Sequence, residues 1–113
     1  MPNIVQGRIV YPTDPVPDPQ GKNPKPDRPF VVVSTPQEIR TGADLRLVGI
    51  SRDVFGYEDE VELPWGPNCH TYLRQRSAAI CSWIVSVPQN RVEVSRGIVP
   101  PLQLREILHK IRR

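Results

Sequence analysis

Arg28-Pro29-Phe30-Val31-Val32-Val33-Ser34 is the stretch around which the rest of the chain can be placed. Phe30, Val31, Val32 and Val33 form a short continuous apolar run, which predicts a strand buried on both faces of a small barrel or sandwich. Pro29 has no N–H to give to a ladder, so it belongs at the first position of that strand. Arg28 then lies just outside the core, where a rigid element holds its Cα and the guanidinium can meet a ligand.

N-terminal to this run, Gly7-Arg8-Ile9-Val10-Tyr11 reads as a first strand that stops where proline begins. Pro12, Pro15, Pro17, Pro19, Pro24 and Pro26 share one segment with Gly21, which excludes a helix or central strand and predicts a long extended loop over residues 12–27. Loops of that length within a small domain are commonly functional, although a stiff solvated hairpin connection fits equally well.

C-terminal to the run, Pro36-Gln37-Glu38-Ile39-Arg40 predicts one helical turn ended by Gly42. A strand is expected from Asp44 to Ser51, a charged loop from Arg52 to Glu60, and a short alternating strand over Glu60-Val61-Glu62-Leu63. Pro64-Trp65-Gly66-Pro67-Asn68 turns the chain. Ser77 to Val87 reads as one long strand with Cys81, Trp83, Val85 and Val87 on its apolar face, and Arg91-Val92-Glu93-Val94 as a brief strand. Leu104, Ile107, Leu108 and Ile111 then fall at helical spacing, with Pro101 suited to the first turn. Residues 101–113 are therefore a C-terminal helix, and Lys110, Arg112 and Arg113 sit at the negative end of its dipole. Strands in series followed by one helix predict a mainly β single domain over 1–113, a small barrel with a helical lid.

Composition narrows the partners. A chain of 113 residues supports one modest core, and 38% hydrophobic residues leave room for a long polar loop or a core completed by a second subunit, so a homodimer is expected. The formal charge of +3 is too mild for indiscriminate binding to polyanions, so any nucleic-acid contact is local. Cys69 and Cys81 lack zinc-ligand spacing, so neither a metal nor another cofactor is expected. The first residues have no signal-peptide pattern and no apolar run is long enough to span a bilayer, which points to a cytoplasmic protein with reduced thiols and no membrane partner.

Taken in order, Gly7-Arg8-Ile9-Val10, the loop with Gly21, the Arg28-Pro29 signature with its valines, the strand ending Val48-Gly49-Ile50-Ser51, and Gly97 ahead of a final helix resemble the MazF/PemK (Kid) family of toxins from toxin-antitoxin pairs. The resemblance implies an SH3-like, CcdB-type barrel, a homodimer, and a metal-independent, sequence-selective endoribonuclease that cuts single-stranded RNA and is neutralised by an antitoxin. Arg28 matches the arginine of the family's Arg-Pro signature, and Ser51 the hydroxyl residue that faces it. The resemblance also makes residues 12–27 a mobile loop flanking the RNA site. One region departs from the family pattern: Ser82 stands where an acid is common and Val85 where an arginine is common.

Cleavage of RNA without a metal uses the 2′-hydroxyl as nucleophile. The protein must then help remove a proton, stabilise an anionic phosphorane and let the 5′-oxygen leave protonated. Arg28 suits the second task, because its planar fork can bond two phosphate oxygens where negative charge develops, and the resemblance gives it an acid/base role as well, although a guanidinium is a poor general base. Ser51 is expected to donate to the phosphate. His70 is the candidate base, since imidazole is the side chain best suited to proton transfer near neutral pH. Lys22, Lys25, Arg74 and Arg76 are candidate phosphate contacts, and Trp65 and Tyr72 candidate stacking platforms for unpaired bases. Plainer roles fit the same residues: a rim charge for Arg28, a strand-ending hydroxyl for Ser51, a surface imidazole for His70, and core or dimer packing for Trp83. Two other classes stay open, a catalytically silent barrel that binds RNA or protein and a gyrase-directed CcdB-like toxin.

Overall fold

Within the computed structural model, which describes residues 2–21 and 24–112 and only the backbone of Lys25, the apolar run becomes strand β4 (Phe30–Val32). The other elements are β1 (Arg8–Pro12), β2 (Val16–Pro17), β3 (Pro24–Lys25), α1 (Pro36–Arg40), β5 (Leu45–Ser51), β6 (Glu60–Leu63), β7 (Ser77–Val87), β8 (Val92–Ile98) and α2 (Pro101–Ile111). Six strands form one antiparallel sheet in the order β6-β7-β5-β4-β1-β8. Central β4 is buried on both faces. Val31 and Val33 join Ile9, Val48 and Ile50 in one core, while Phe30 and Val32 join Val10, Leu45, Leu47 and Trp83 in a second.

Each core has its own cover. Leu104, Ile107, Leu108 and Ile111 of α2 pack on the first, as their spacing predicts, and Ile107 is fully buried. The second is covered by Val16 of the β2–β3 hairpin, Ile39 of α1 and Ile4. Helix α1 is short but well capped: Thr35 Oγ1 accepts from Glu38 N, Glu38 Oε1 accepts from Thr35 N, and Pro36 opens the first turn. No helix among the described residues is long and apolar enough to cross a membrane.

Four expectations need correction. The sheet is not closed into a barrel, because no ladder joins β6 to β8 among the described residues. The segment between β6 and β7 comes to the β8 edge instead, where Ile98 N donates to His70 O (2.9 Å) and Thr71 O leaves no room for a side chain at Gly97. The 12–27 segment is not wholly loop, since Val16 pairs with Lys25 and Pro17 with Pro24 in a short hairpin that prolines keep from extending. Strand β8 runs on through Gly97 to Ile98, because β1 offers it a longer partner than local pattern suggests.

The fourth concerns β7. Its register against β5 shifts between Val48 and Gly49, whose partners are Ile84 and Ile80, so β7 bulges. Cys81 consequently faces the first core and Trp83, Val85 and Val87 the second, although a regular strand would set all four on one face.

Candidate active site

The site grows from the β4–β5 register. Phe30 pairs with Gly49, and Ile50 N donates to Pro29 O at 3.1 Å, so the same register continued outward sets Arg28 opposite Ser51. Asp27, immediately before, takes a left-handed backbone (φ 54°) that turns the chain into the strand. Arg28 is half-buried, and it and Ser51 line a cleft of about 340 Å³. Ser51 Oγ accepts from Asp53 N (3.1 Å), which leaves its O–H to donate elsewhere.

Carboxylates dominate the other walls of this cleft. Asp18 approaches from the β2–β3 hairpin with Pro19 and Gln20, Asp53 and Asp59 come from the segment between β5 and β6, and Glu60 opens β6. Glu60 organises that segment: its carboxylate accepts from Phe55 N (3.1 Å) and Tyr57 N (2.8 Å). Around Gly56 (φ +78°), this holds Phe55 and Tyr57 stacked with centroids 5.4 Å apart. Both rings are about two-thirds exposed, at 67% and 64%, a costly display of apolar surface unless something covers it. Trp83 forms the floor, seated on Gly49, edge-on to Phe30 at 5.0 Å, with Nε1 donating to Pro17 O at 3.0 Å. Through that bond the hairpin is tied to the sheet. A second tie is the bidentate pair of Arg91 with Asp14, whose carboxylate raises the Arg91 pKa above its ordinary value.

Arg28 also lines a second cleft, of about 660 Å³, on its other side. Here the charge is reversed, with Arg52 and Arg74 beside Asp27, and Tyr72 exposed at 61%. Tyr72 holds φ at 59°, a rare conformation for an aromatic residue and a mark of local strain. A basic groove with an exposed ring therefore meets the acidic, aromatic cleft, and Arg28 is the wall they share.

Of the residues singled out in the sequence, Arg28 and Ser51 are brought together, and Tyr72 and Arg74 join Arg28 across the second cleft. His70 is exposed and lines a third cleft of about 570 Å³ with Cys69, Tyr72 and Arg74, apart from Ser51. Arg76 is ion-paired with Glu62 at 2.6 Å, which lowers the carboxylate's pKa and raises that of the guanidinium. Trp65 is half-exposed and lines none of these three clefts. Lys22 lies outside the described residues, and for Lys25 only the backbone is described. Ser82 donates to Asp59 Oδ2 at 2.5 Å, while Val85 packs against the second core.

Arg52, Asp53, Phe55, Tyr57, Asp59 and Glu60 were hidden in a stretch that reads as a charged loop. Two aromatic residues flanking a glycine between carboxylates were the available signal, since solvated loops have little use for exposed rings.

The six-stranded antiparallel sheet with its C-terminal helix matches the MazF fold. The chain matches MazF from Deinococcus radiodurans over 96% of its length and 92% of that chain, with a TM-score of 0.69 and 22% identity. The MazF fold is seen again in a MazE–MazF complex from the same organism (96% and 91% covered, TM-score 0.66, 20% identity). An endoribonuclease from a mycobacterial species matches over 98% of this chain and 89% of its own, with a TM-score of 0.69 and 18% identity. No protein-family model and no curated protein sequence matches the chain.

Proposed function

We propose that the protein is a metal-independent endoribonuclease toxin, active as a homodimer, that cleaves single-stranded RNA through the substrate's own 2′-hydroxyl and is neutralised by an antitoxin. The observation that carries this reading is the double placement of Arg28, at once beside Ser51 and at the head of a basic groove. The matches to MazF and to the mycobacterial endoribonuclease support the activity, and the MazE–MazF complexes support the antitoxin.

In this reading Arg52 and Arg74 track the phosphates of an extended strand past the ring of Tyr72, and the scissile phosphate stops at Arg28. The guanidinium fork bonds two phosphate oxygens and gains strength as negative charge develops on them. Ser51 donates a hydrogen bond to the same phosphate. The next base reaches the Phe55–Tyr57 stack. Single-strand selectivity follows, because only an unstacked base can lie on a protein ring.

The test is incubation of the purified protein with a long mixed-sequence single-stranded RNA in EDTA, with ends mapped by primer extension. Wild type is expected to cut at a restricted set of sites, leaving 2′,3′-cyclic phosphate and 5′-hydroxyl ends. Arg28→Ala should lower kcat about 10²–10³-fold while remaining folded. No cleavage across varied RNAs, or equal cleavage by the variant, refutes the proposal. Tight RNA binding without turnover would instead favour a silent RNA-binding protein.

A further inference from the structure

The reaction needs an acceptor for the 2′-hydroxyl proton. A guanidinium is a poor proton acceptor, and His70 lines a different cleft from Ser51. The cleft that holds Arg28 and Ser51 offers carboxylates instead, and they differ in how firmly they are placed. Glu60 is occupied as the cap of the Phe55 and Tyr57 amides. Asp53 is exposed, and Asp18 lies in the link between β2 and β3, outside the main sheet.

Asp59 is held differently. Its main-chain carbonyl accepts from Cys81 N at 2.7 Å, and its side-chain Oδ2 accepts from Ser82 Oγ at 2.5 Å, so backbone and carboxylate are both fastened to the bulged part of β7. It is half-buried, and a carboxylate with one donor in place keeps further lone pairs for a second. Pre-organisation of this kind is what a proton acceptor requires, because geometry limits general-base catalysis before basicity does.

We infer that Asp59 is the general base of the ribonuclease reaction and that Ser82 is its positioning residue; this assignment rests on the function proposed above. Asp59 takes the proton of the 2′-hydroxyl as O2′ attacks phosphorus. The P–O5′ bond breaks and a 2′,3′-cyclic phosphate forms. Solvent delivers a proton to the departing 5′-oxygen, and protonated Asp59 returns one to solvent, so charge and protons balance over the turnover. The phosphorus stays at the same oxidation level throughout, and no metal or co-reactant enters the step.

The charged and titratable groups that face this carboxylate across the cleft are Arg28, Asp18, Asp53, Tyr57 and Glu60; β7 contributes only the Ser82 hydroxyl. Arg28 opposes acidic neighbours that on their own would hold an RNA phosphate away.

The experiment compares wild type, Asp59→Asn, Asp59→Glu, Asp53→Asn and Ser82→Ala, reading single-turnover cleavage of one mapped RNA against pH, and binding of the DNA strand of the same sequence. That strand lacks the nucleophile, so it reports affinity without chemistry. Asp59→Asn is expected to cut about 10²–10⁴-fold more slowly, to lose the acid limb of the pH profile, and to bind the DNA strand as wild type does. Asp59→Glu should restore part of the rate together with a pH limb. Ser82→Ala should lower kcat with little change in KM, and Asp53→Asn should retain the acid limb that Asp59→Asn loses. An Asp59→Asn protein that cuts at the wild-type rate with the same acid limb, while Arg28→Ala is inactive, overturns the base assignment and leaves the ribonuclease reading standing. A wild-type protein that cuts no RNA overturns both. Transfer of the rate loss and the missing limb to Asp53→Asn overturns the assignment in favour of that neighbour.

Discussion

Replacing Gly49 with alanine places one methyl group against the floor of the cleft, and its cost can be worked from the structure. A Cβ built at Gly49 lands 2.5 Å from Trp83 Cζ3 and closer still to Cε3 and Cδ2, whereas carbon atoms pack comfortably at about 3.5–4.0 Å. The indole must therefore retreat by more than an ångström. It is not free to do so, being bonded through Nε1 to Pro17 O and set edge-on against Phe30, which is fully buried. Overpacking of this kind costs about 1–3 kcal/mol. Losing the hydrogen bond adds about 1 kcal/mol and disturbing the aromatic pair about 0.5–1.5 kcal/mol. Gly49→Ala should then destabilise the protein by about 3–5 kcal/mol. At about 4 °C per kcal/mol for a domain of this size, the melting midpoint falls by roughly 12–20 °C.

The sign makes this a sharp test. At an unhindered strand position the same change stabilises by about 0.5–1 kcal/mol, because alanine loses less backbone freedom on folding. Thermal unfolding followed by circular dichroism gives the midpoint, and fluorescence reports the indole directly, since the only other tryptophan is the half-exposed Trp65. Red-shifted emission should accompany the loss of stability, and adding Trp83→Leu should recover part of it, as coupled neighbours do. A midpoint that rises, or falls by less than about 3 °C, would refute the packing argument and with it the claim that Trp83 pins the hairpin.

Two further outcomes are expected. Phe55→Ala and Tyr57→Ala should each raise KM for RNA by about 5–100-fold with a smaller effect on kcat, since stacking of a base is worth about 1–3 kcal/mol; unchanged KM in steady-state cleavage would separate the pair from substrate. The Thr35 amide and hydroxyl, which bond Glu38 in the capping box, lower its carboxyl pKa from the ordinary value. The stabilisation is therefore present above the ordinary value and lost as pH falls through the lowered value, so Glu38→Gln should flatten the acid limb of urea-unfolding stability.

Much of the fold was legible because local pattern and tertiary environment agree in it. The apolar run from Phe30 to Val33 meets apolar surface on both sides, and the α2 stripe packs on the first core. Disagreement arises where a residue's surroundings come from far along the chain. Trp83 is directed by a bulge that exists only in the β5–β7 pairing, and alternation within β7 alone carries no trace of it. The open edge at β8 is likewise met by the segment following β6, through Ile98 N and His70 O, which no local pattern encodes.

The same reasoning separates the two halves of the site. Arg28 and Ser51 lie at the ends of adjacent, strongly apolar strands, so strand pairing alone brings them face to face, and a correct reading of β4 and β5 finds both. Asp59 and the aromatic pair depend on a segment whose shape is set by side chains bonding backbone: Glu60 to the Phe55 and Tyr57 amides, Ser82 to Asp59, and Lys110 to the Glu58 carbonyl. Such bonds are individually modest, about 0.5–1.5 kcal/mol each, and have no periodicity for a sequence reading to detect. A sheet that positions Arg28 and Ser51 and a loop that positions what surrounds them can therefore change at different rates. Under the proposed function, substitution between Phe55 and Asp59 should alter base preference and proton transfer while leaving the fold, and the placing of Arg28 and Ser51, intact.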